Sequence, residues 1–124
     1  MKANCSEVFV TIATNKVLLL AKFYAQLLDR QPKILRPPIY AELELGNLRL
    51  AIFQPKAERM NEFVNAASSM SLCLEVENLE QAIARVENLG CPPPGEIIAA
   101  SHGREIYAYD PDGNRLILHQ SARS

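Results

Sequence analysis

The sequence has little of what several large classes of protein require. It has three cysteines in 124 residues, Cys5, Cys73 and Cys91, and no two stand at the short spacing of a zinc knuckle or a redox pair. It has five glycines and no Gly-x-Gly-x-x-Gly or Walker-type loop, which argues against a nucleotide cofactor at a helix N-terminus. A disulfide framework, a zinc finger and a nucleotide-binding fold are therefore disfavoured.

The chain also has no excess of positive charge and no long apolar run. Thirteen Lys and Arg against fourteen Asp and Glu give a net charge of −1, so nucleic acid is not an expected partner. The longest uninterrupted apolar run, residues 17–21, is far shorter than the roughly twenty residues of a membrane span. The first residues lack the apolar stretch of a secretory signal, which predicts a cytoplasmic protein with no membrane contact.

The patterning that is present predicts one domain, residues 1–124, since a second domain would need roughly 50 residues of its own. Residues 7–13 are β-branched and alternate, whereas from Asn15 to Asp29 the apolar spacing becomes helical and Pro32 prevents a longer helix. Residues 40–45 and 48–53 alternate around a Gly46-Asn47 turn and predict a hairpin. The polar residues 54–69 predict a connector with one helical turn.

The second half repeats the first. It predicts a strand (71–76), a helix (79–89, ended by Gly90), a short strand (96–100) and two further strands (105–109 and 115–120) joined by the turn 110–114. A shift of 62 residues places the five apolar helix positions of the first half, from Val17 to Leu27, on apolar positions of the second, from Leu79 to Leu89. Two copies of one βαβββ unit are the simplest interpretation.

The duplicated units, the Phe23-Tyr24 pair and the closing segment of residues 103–118, with its Asp-Pro-Asp-Gly-Asn turn, together resemble the vicinal oxygen chelate superfamily of glyoxalases, bleomycin resistance proteins and extradiol dioxygenases. The resemblance implies an α+β fold with units at about 6–53 and 70–120. It also implies that the two mixed sheets curl into a cup, with the helices on the convex face and a divalent metal and a small substrate on the concave face.

The superfamily's metal ligands fall, by this resemblance, on one inward position of each of four strands: Phe9, Ala51, Ser71 and Ile117. Phe, Ala and Ile have no lone pair for a cation, and a lone Ser hydroxyl is a weak ligand. A shift of one residue brings only other apolar side chains to most of these places. The sequence therefore predicts neither a metal nor any other cofactor.

Strand alternation then selects the residues that line the predicted cup. Aromatic surface with a few charges suits a small organic ligand held by stacking and oriented by polar contacts. The predicted ligand-binding residues are Phe9, Glu42, Arg49, Phe53, Ser71, Glu75, Tyr107, Ile117 and His119.

Several of these residues also admit a plainer role. Glu42, Glu44 and Arg49 equally predict a solvated cross-strand patch, and Tyr107 equally predicts simple packing. His119 equally predicts a surface histidine at the mouth of the cup, and His102, in a loop, is expected to be solvated. Cys73 lies in an apolar run where a thiol behaves as a small hydrophobe.

The resulting hypothesis is a metal-free small-molecule binding protein that sequesters an organic ligand and works as a homodimer, with no catalytic residue. The alternative is a lyase, isomerase or dioxygenase of the glyoxalase type. Such an enzyme would use either a metal held by His119, Glu75 and Glu42 or a metal-free His119 base. A third hypothesis, a structural or regulatory protein without a ligand, would be favoured by an occluded or wholly hydrophilic cup.

Overall fold

A computed structural model of the chain describes Cys5, residues 7–64 and residues 69–122. The chain divides into two compact units, Met1–Asn65 and Ala66–Ser124. Residue 6 and residues 65–68, which fall in the predicted first unit and connector, lie outside the described residues. Within the described part, no helix is long and apolar enough to cross a membrane.

Unit one contains a mixed four-stranded sheet with a helix packed on it. Its strands lie in the order β1-β4-β3-β2, with β1 parallel to β4 and the other neighbours antiparallel. The elements are β1 (Val10–Ala13), α1 (Val17–Leu28), β2 (Ile34–Arg36), β3 (Tyr40–Leu45) and β4 (Leu48–Phe53). A 3-10 turn (Ala57–Arg59) and α2 (Asn61–Val64) follow, so the predicted helical turn of the connector is present.

Unit two has the same strand order and the same pattern of directions, β5-β8-β7-β6 with β5 parallel to β8. Its elements are β5 (Leu72–Glu75), α3 (Leu79–Asn88), β6 (Ile98–Ala100), β7 (Gly103–Tyr109) and β8 (Arg115–Ser121). In the part of the chain that the structure describes, neither sheet closes into a barrel, and the predicted α+β class with two βαβββ units is confirmed.

The predicted repeat holds closely in the first half of each unit. The strand β5 lies 62 residues after β1 at both of its ends, and α3 begins 62 residues after α1.

The sequence pattern missed β2, because a three-residue strand closely flanked by Pro32 and Pro37 is too short to show alternation. This strand is defined by its antiparallel pairing with β3, in which Ile34 lies opposite Glu42.

The helix-facing side of each sheet carries the apolar positions that alternation predicts. In unit two these are Leu116 and Leu118 of β8 with Ile106 and Ala108 of β7, all buried where α3 packs. The corresponding buried residues of unit one are Ala41, Leu43, Leu50 and Ile52, against α1. Each fully buried Leu or Ile stabilises the fold by about 1.5–3 kcal/mol relative to exposure. Phe23 and Tyr24 are also buried, in an edge-to-face contact of 5.1 Å, so their predicted packing role is confirmed.

The turn between β7 and β8 is held by a buried carboxylate. Asp110 Oδ1 accepts hydrogen bonds from the backbone N–H groups of Asp112 and Asn114, each at 2.9 Å, and Oδ2 accepts one from Asn114 Nδ2 at 2.8 Å. Gly113, with a φ of 87°, takes the left-handed conformation that the turn requires. The turn therefore fixes the register of β7 on β8, and with it the side chains that meet across these strands.

Candidate functional site

The face of the unit-two sheet that is turned away from α3 carries a row of polar side chains across three strands. Glu75 of β5 lies beside His119 of β8 in the parallel pair, and Glu105 of β7 lies opposite His119 in the antiparallel pair. Side chains directly opposite in neighbouring strands have Cβ atoms about 5 Å apart, so these groups can touch. The predicted inward positions Glu75 and His119 are therefore on one face of one sheet.

Glu75 and His119 form a short hydrogen bond. His119 Nδ1 lies 2.7 Å from Glu75 Oε1, while Glu75 Oε2 accepts a hydrogen bond from the backbone N–H of Ser121 at 2.8 Å. The hydrogen bonds from His119 and Ser121 lower the pKa of Glu75 below its ordinary value. A carboxylate acceptor fixes the proton of a neutral imidazole on Nδ1, which leaves the lone pair on Nε2.

The free nitrogen of His119 faces a second histidine. His119 Nε2 lies 3.3 Å from His102 Nδ1, and the two ring centroids are 5.3 Å apart. The His102 carbonyl accepts a hydrogen bond from the backbone N–H of Ala122 at 3.1 Å, which ties the loop to the end of β8. Gly103 has a φ of 143°, and a Cβ there would lie only 2.2 Å from the Gln120 carbonyl oxygen. Glycine is therefore required for this approach.

Glu105 completes a cluster of three donor side chains. Among the described residues, one donor atom each from His102, Glu105 and His119 lies within 4.8 Å of the other two. Glu105 and His119 are half-buried and His102 is exposed, so the cluster is open to solvent on one side. Imidazole nitrogen and carboxylate oxygen are the ligand types that divalent transition metals take in proteins.

A partly apolar row lies next to the polar one on the same face. Ile117 of β8 is flanked by Cys73 of β5 and Tyr107 of β7, and the tyrosine is 41% exposed. Cys73 is exposed instead of packed in the interior, because its side chain points to the face opposite Leu72 and Leu74. Partial burial, followed by the charges of Glu105 and Glu75, raises the pKa of the Cys73 thiol, so the thiol stays protonated and poorly nucleophilic.

Ser71 lies just before β5 and is committed to a neighbour. Its hydroxyl accepts a hydrogen bond from Arg115 Nε at 2.7 Å. Five of the nine predicted ligand-binding residues therefore lie in unit two, and four of these form the two adjacent rows: Glu75, His119, Ile117 and Tyr107.

Three other predicted residues meet in unit one. The Arg49 guanidinium lies 4.7 Å from the centre of the Phe9 ring, and Arg49 Nε lies 3.5 Å from Glu42 Oε2. Arg49 also pairs with Glu7. Two carboxylates thus already balance the charge of Arg49, which leaves less attraction for an anionic ligand than the sequence suggested.

Glu42 is more enclosed than the solvated patch that the sequence allowed. Its side chain is buried, and Glu42 Oε1 accepts a hydrogen bond from the Tyr40 hydroxyl at 2.8 Å. Burial, followed by the hydrogen bond and the charge of Glu42, raises the pKa of Tyr40. Glu44 instead makes a solvent-exposed ion pair with Lys33, 3.0 Å long. The residues predicted as one patch therefore divide into a buried pair and a surface pair.

Phe53 lies apart from Arg49 within unit one. It is half-buried and makes an edge-to-face contact of 5.6 Å with Phe63 of α2, so its ring packs on the connector.

A pocket of about 350 Å³ in this unit is lined by Glu7, Val8, Glu44, Gly46, Asn47, Leu48 and Arg49. Its lining is mostly charged and polar, unlike the apolar walls of a typical organic-ligand site.

The four positions that carry the superfamily's metal do not fit an ion in this chain. Phe9 is occupied by its contact with Arg49, Ala51 is buried and has no donor, and Ile117 is aliphatic. The Ser71 oxygen already accepts a hydrogen bond from Arg115. A metal-dependent reaction therefore cannot use these four positions.

The predicted ligand-binding residues include neither His102 nor Glu105. The position of Glu105 could have been predicted, because it is two residues from Tyr107 in the same strand and therefore lies on the same face of the sheet. The position of His102 could not have been predicted, because its contact with His119 depends on the register of β7 on β8 and on the close approach at Gly103. Glu42, proposed in the sequence as a partner of Glu75 and His119, belongs to unit one and is bonded to Tyr40 there.

Known structures share this architecture, although no protein-family profile and no curated protein sequence matches the chain. A glyoxalase/bleomycin resistance protein/dioxygenase family enzyme from Burkholderia phytofirmans is similar with a TM-score of 0.76 and 18% identity, over 91% of this chain and 96% of its own. The fosfomycin resistance protein FosX from Mesorhizobium loti gives 0.70 and 18%, over 98% and 95%.

A lactoylglutathione lyase from Agrobacterium tumefaciens is also similar, with a TM-score of 0.68 and 16% identity, over 95% of this chain and 96% of its own. Likenesses at such identities establish the fold. The chain therefore has the fold of the vicinal oxygen chelate superfamily, as the duplicated pattern and the closing turn predicted. Its neighbours of this fold include enzymes, so the fold alone does not assign a reaction.

Proposed function

We propose that the chain is a small-molecule binding protein that sequesters an organic ligand, without a metal at the four strand positions used by the superfamily. The observation that carries the proposal is the open face of the unit-two sheet, where Ile117 and Tyr107 lie next to the hydrogen-bonded pair of Glu75 and His119. An apolar surface beside a few fixed polar groups is what recognition of a small organic molecule requires.

The polar groups of this face are held in place before any ligand arrives. Glu75 is fixed by two partners, His119 and the backbone of Ser121, so little side-chain entropy remains to be lost on binding. Tyr107 is exposed enough to stack on an aromatic ligand, a contact of about 0.5–1.5 kcal/mol beyond its area. A neutral or aromatic ligand with one hydrogen-bonding group fits this face better than a strong anion, since Glu75 and Glu105 are both acidic.

The test is a ligand-observed NMR screen with small aromatic acids, phenols and amines against the full chain. We expect binding of phenols and amines, weakened up to about tenfold by Tyr107→Ala. The matched control is Leu19→Ala, which removes an apolar side chain that is 48% exposed on α1 of the other unit and should leave binding unchanged. Absence of binding below about 1 mM, or equal affinity in Tyr107→Ala, would contradict the proposal.

A second candidate function is an enzyme of glyoxalase type, a lyase, isomerase or dioxygenase. One observation favours it: Glu75 orients His119 so that its Nε2 carries the lone pair, which is the arrangement of a general base held by a third group. Turnover of a hemithioacetal or a catechol by the wild type, lost in His119→Asn and reduced in Glu75→Gln, would support it. No turnover in either assay would favour the binding role.

We also propose that the chain forms a homodimer. The support is apolar surface that unit one leaves exposed, notably Val8, Leu18 and Ile39. Sedimentation should give about twice the chain mass of 13.8 kDa, and a single-chain mass at micromolar concentration would contradict the dimer. The cytoplasmic location and the absence of nucleic-acid and membrane partners stay predictions.

A further inference from the structure

We propose that His102, Glu105 and His119 bind one divalent transition-metal ion of the zinc type. The three residues lie in unit two and differ from the four strand positions at which the superfamily's metal does not fit this chain. The proposal stands independently of the proposed function, because an organic ligand can bind the Ile117 and Tyr107 row whether or not the ion is present.

The spacing of the two histidines already matches shared coordination. Two nitrogens at 2.0–2.1 Å from one tetrahedral zinc ion lie about 3.3–3.4 Å apart. The distance between His119 Nε2 and His102 Nδ1 is 3.3 Å. One Glu105 oxygen lies within 4.8 Å of one nitrogen of each histidine, so a movement of about 1.5 Å brings it to the separation of ligands around one ion. Rotation of a half-buried glutamate side chain supplies such a movement.

The second nitrogen of His119 is held as it is in many metal centres. A metal-binding imidazole usually donates its other N–H group to a carboxylate, which fixes the ring and makes the free nitrogen more basic. Glu75 occupies this place at 2.7 Å from Nδ1 and is itself anchored by the N–H of Ser121. Glu75 is therefore a positioning residue, which acts on the ion through His119.

The backbone also brings the ligands together without an ion. Glu105 and His119 are directly opposite in the β7–β8 ladder, and the hydrogen bond from Ala122 to the His102 carbonyl holds the loop against β8. On binding, the exposed His102 side chain must be ordered and the Glu105 side chain must rotate. The simpler arrangement with the same geometry is a hydrogen bond that shares one proton between the two imidazoles, and a zinc titration distinguishes this hydrogen bond from a metal site.

Three protein ligands leave a fourth position of a tetrahedral ion open. Such a position takes water or an oxygen atom of a bound small molecule. The adjacent apolar row would then lie beside that molecule, so the class of ligand favoured by a loaded site is an oxygen donor with an apolar or aromatic body.

The test is a zinc titration of tag-free, full-length protein by calorimetry, repeated with Co²⁺ followed by visible absorption. We expect one ion per chain with micromolar or tighter affinity and Co²⁺ bands typical of four-coordination. His102→Ala and Glu105→Gln should each weaken zinc binding at least tenfold. Two control variants, Glu87→Gln on exposed α3 surface and Cys73→Ser on the same sheet face, should bind as the wild type does.

Glu75→Gln distinguishes the positioning role from a structural one. It should weaken zinc binding about 10- to 100-fold, and Glu75→Asp should restore part of the affinity, while the circular dichroism of the metal-free protein stays that of the wild type. Wild-type binding weaker than about 100 µM would overturn the proposal and leave the histidine pair as a proton-sharing contact. A zinc affinity equal to that of the wild type in both His102→Ala and Glu105→Gln would overturn the proposal as well.

Discussion

Replacing Gly103 with alanine tests the backbone approach on which the histidine cluster depends. The new Cβ would lie 2.2 Å from the Gln120 carbonyl oxygen, at a φ of 143° that residues with a side chain rarely adopt. Backbone strain of this kind costs about 1–3 kcal/mol. Separation of the strand ends also breaks the bond from Ala122 to the His102 carbonyl, which is worth about 1 kcal/mol. We expect a total loss of about 2–4 kcal/mol in the free energy of unfolding.

The assay is urea unfolding of Gly103→Ala beside a matched control, Gly46→Ala. Gly46 also has a positive φ, 55°, but a Cβ there meets nothing within 4 Å, so it should cost only about 1–2 kcal/mol of left-handed strain. The loss at Gly103 should come with a change in the NMR signals of both histidine rings. Equal losses in the two variants, or unchanged histidine signals in Gly103→Ala, would refute the close approach as the cause.

Three further predictions concern reactivity, acid stability and the core. Alkylation of Cys73 should be faster in Glu75→Gln than in the wild type, because one of the charges that raise the thiol pKa is gone, and equal rates would argue against that cause. The hydrogen bonds from Arg104 are the main cause that lowers the pKa of Glu80 from 4.5 to about 2. The ionised Glu80 therefore stabilises the fold above pH 4.5, and this stabilisation is lost as the pH falls towards 2. Glu80→Gln should therefore lose less stability than the wild type over that range in acid titrations followed by circular dichroism, and equal losses would contradict this. Leu118→Ala should cost about 2–5 kcal/mol in urea unfolding, against under about 1 kcal/mol for the exposed Leu35→Ala, and similar costs would contradict the core assignment.

The candidate site on unit two combines side chains that were predicted from the sequence with others that were not. Glu75 and His119 were both predicted from alternation, and the structure adds that they are bonded to each other. Glu105, opposite His119 in the β7–β8 ladder, and His102, in the loop before β7, form with His119 a cluster of three metal-type donors. The same row borders Tyr107 and Ile117, so polar and apolar contacts are available side by side.

Local periodicity accounts for most of what the sequence predicted correctly. Alternation and helical spacing are properties of consecutive residues, so the hairpin of β3 and β4, the start of α3 and the faces of β5 and β8 could be read directly. The missed strand β2 lacks such a pattern and exists through its pairing with β3. Cys73 was expected in an apolar interior because its neighbours are apolar, although alternation placed it on the open face.

By itself, the sequence determined the duplicated βαβββ architecture and the absence of metal ligands at the superfamily's positions, since both depend on residue type and spacing along the chain. Only the tertiary structure decided that Arg49 is already paired, that Glu42 is buried, and that His102 reaches His119. The contact between His102 and His119 joins residues 17 positions apart, and those between Glu7 and Arg49 and between Glu75 and His119 join residues 42 and 44 positions apart. They depend on strand register and on a close backbone approach at one glycine, which no local pattern of side chains encodes.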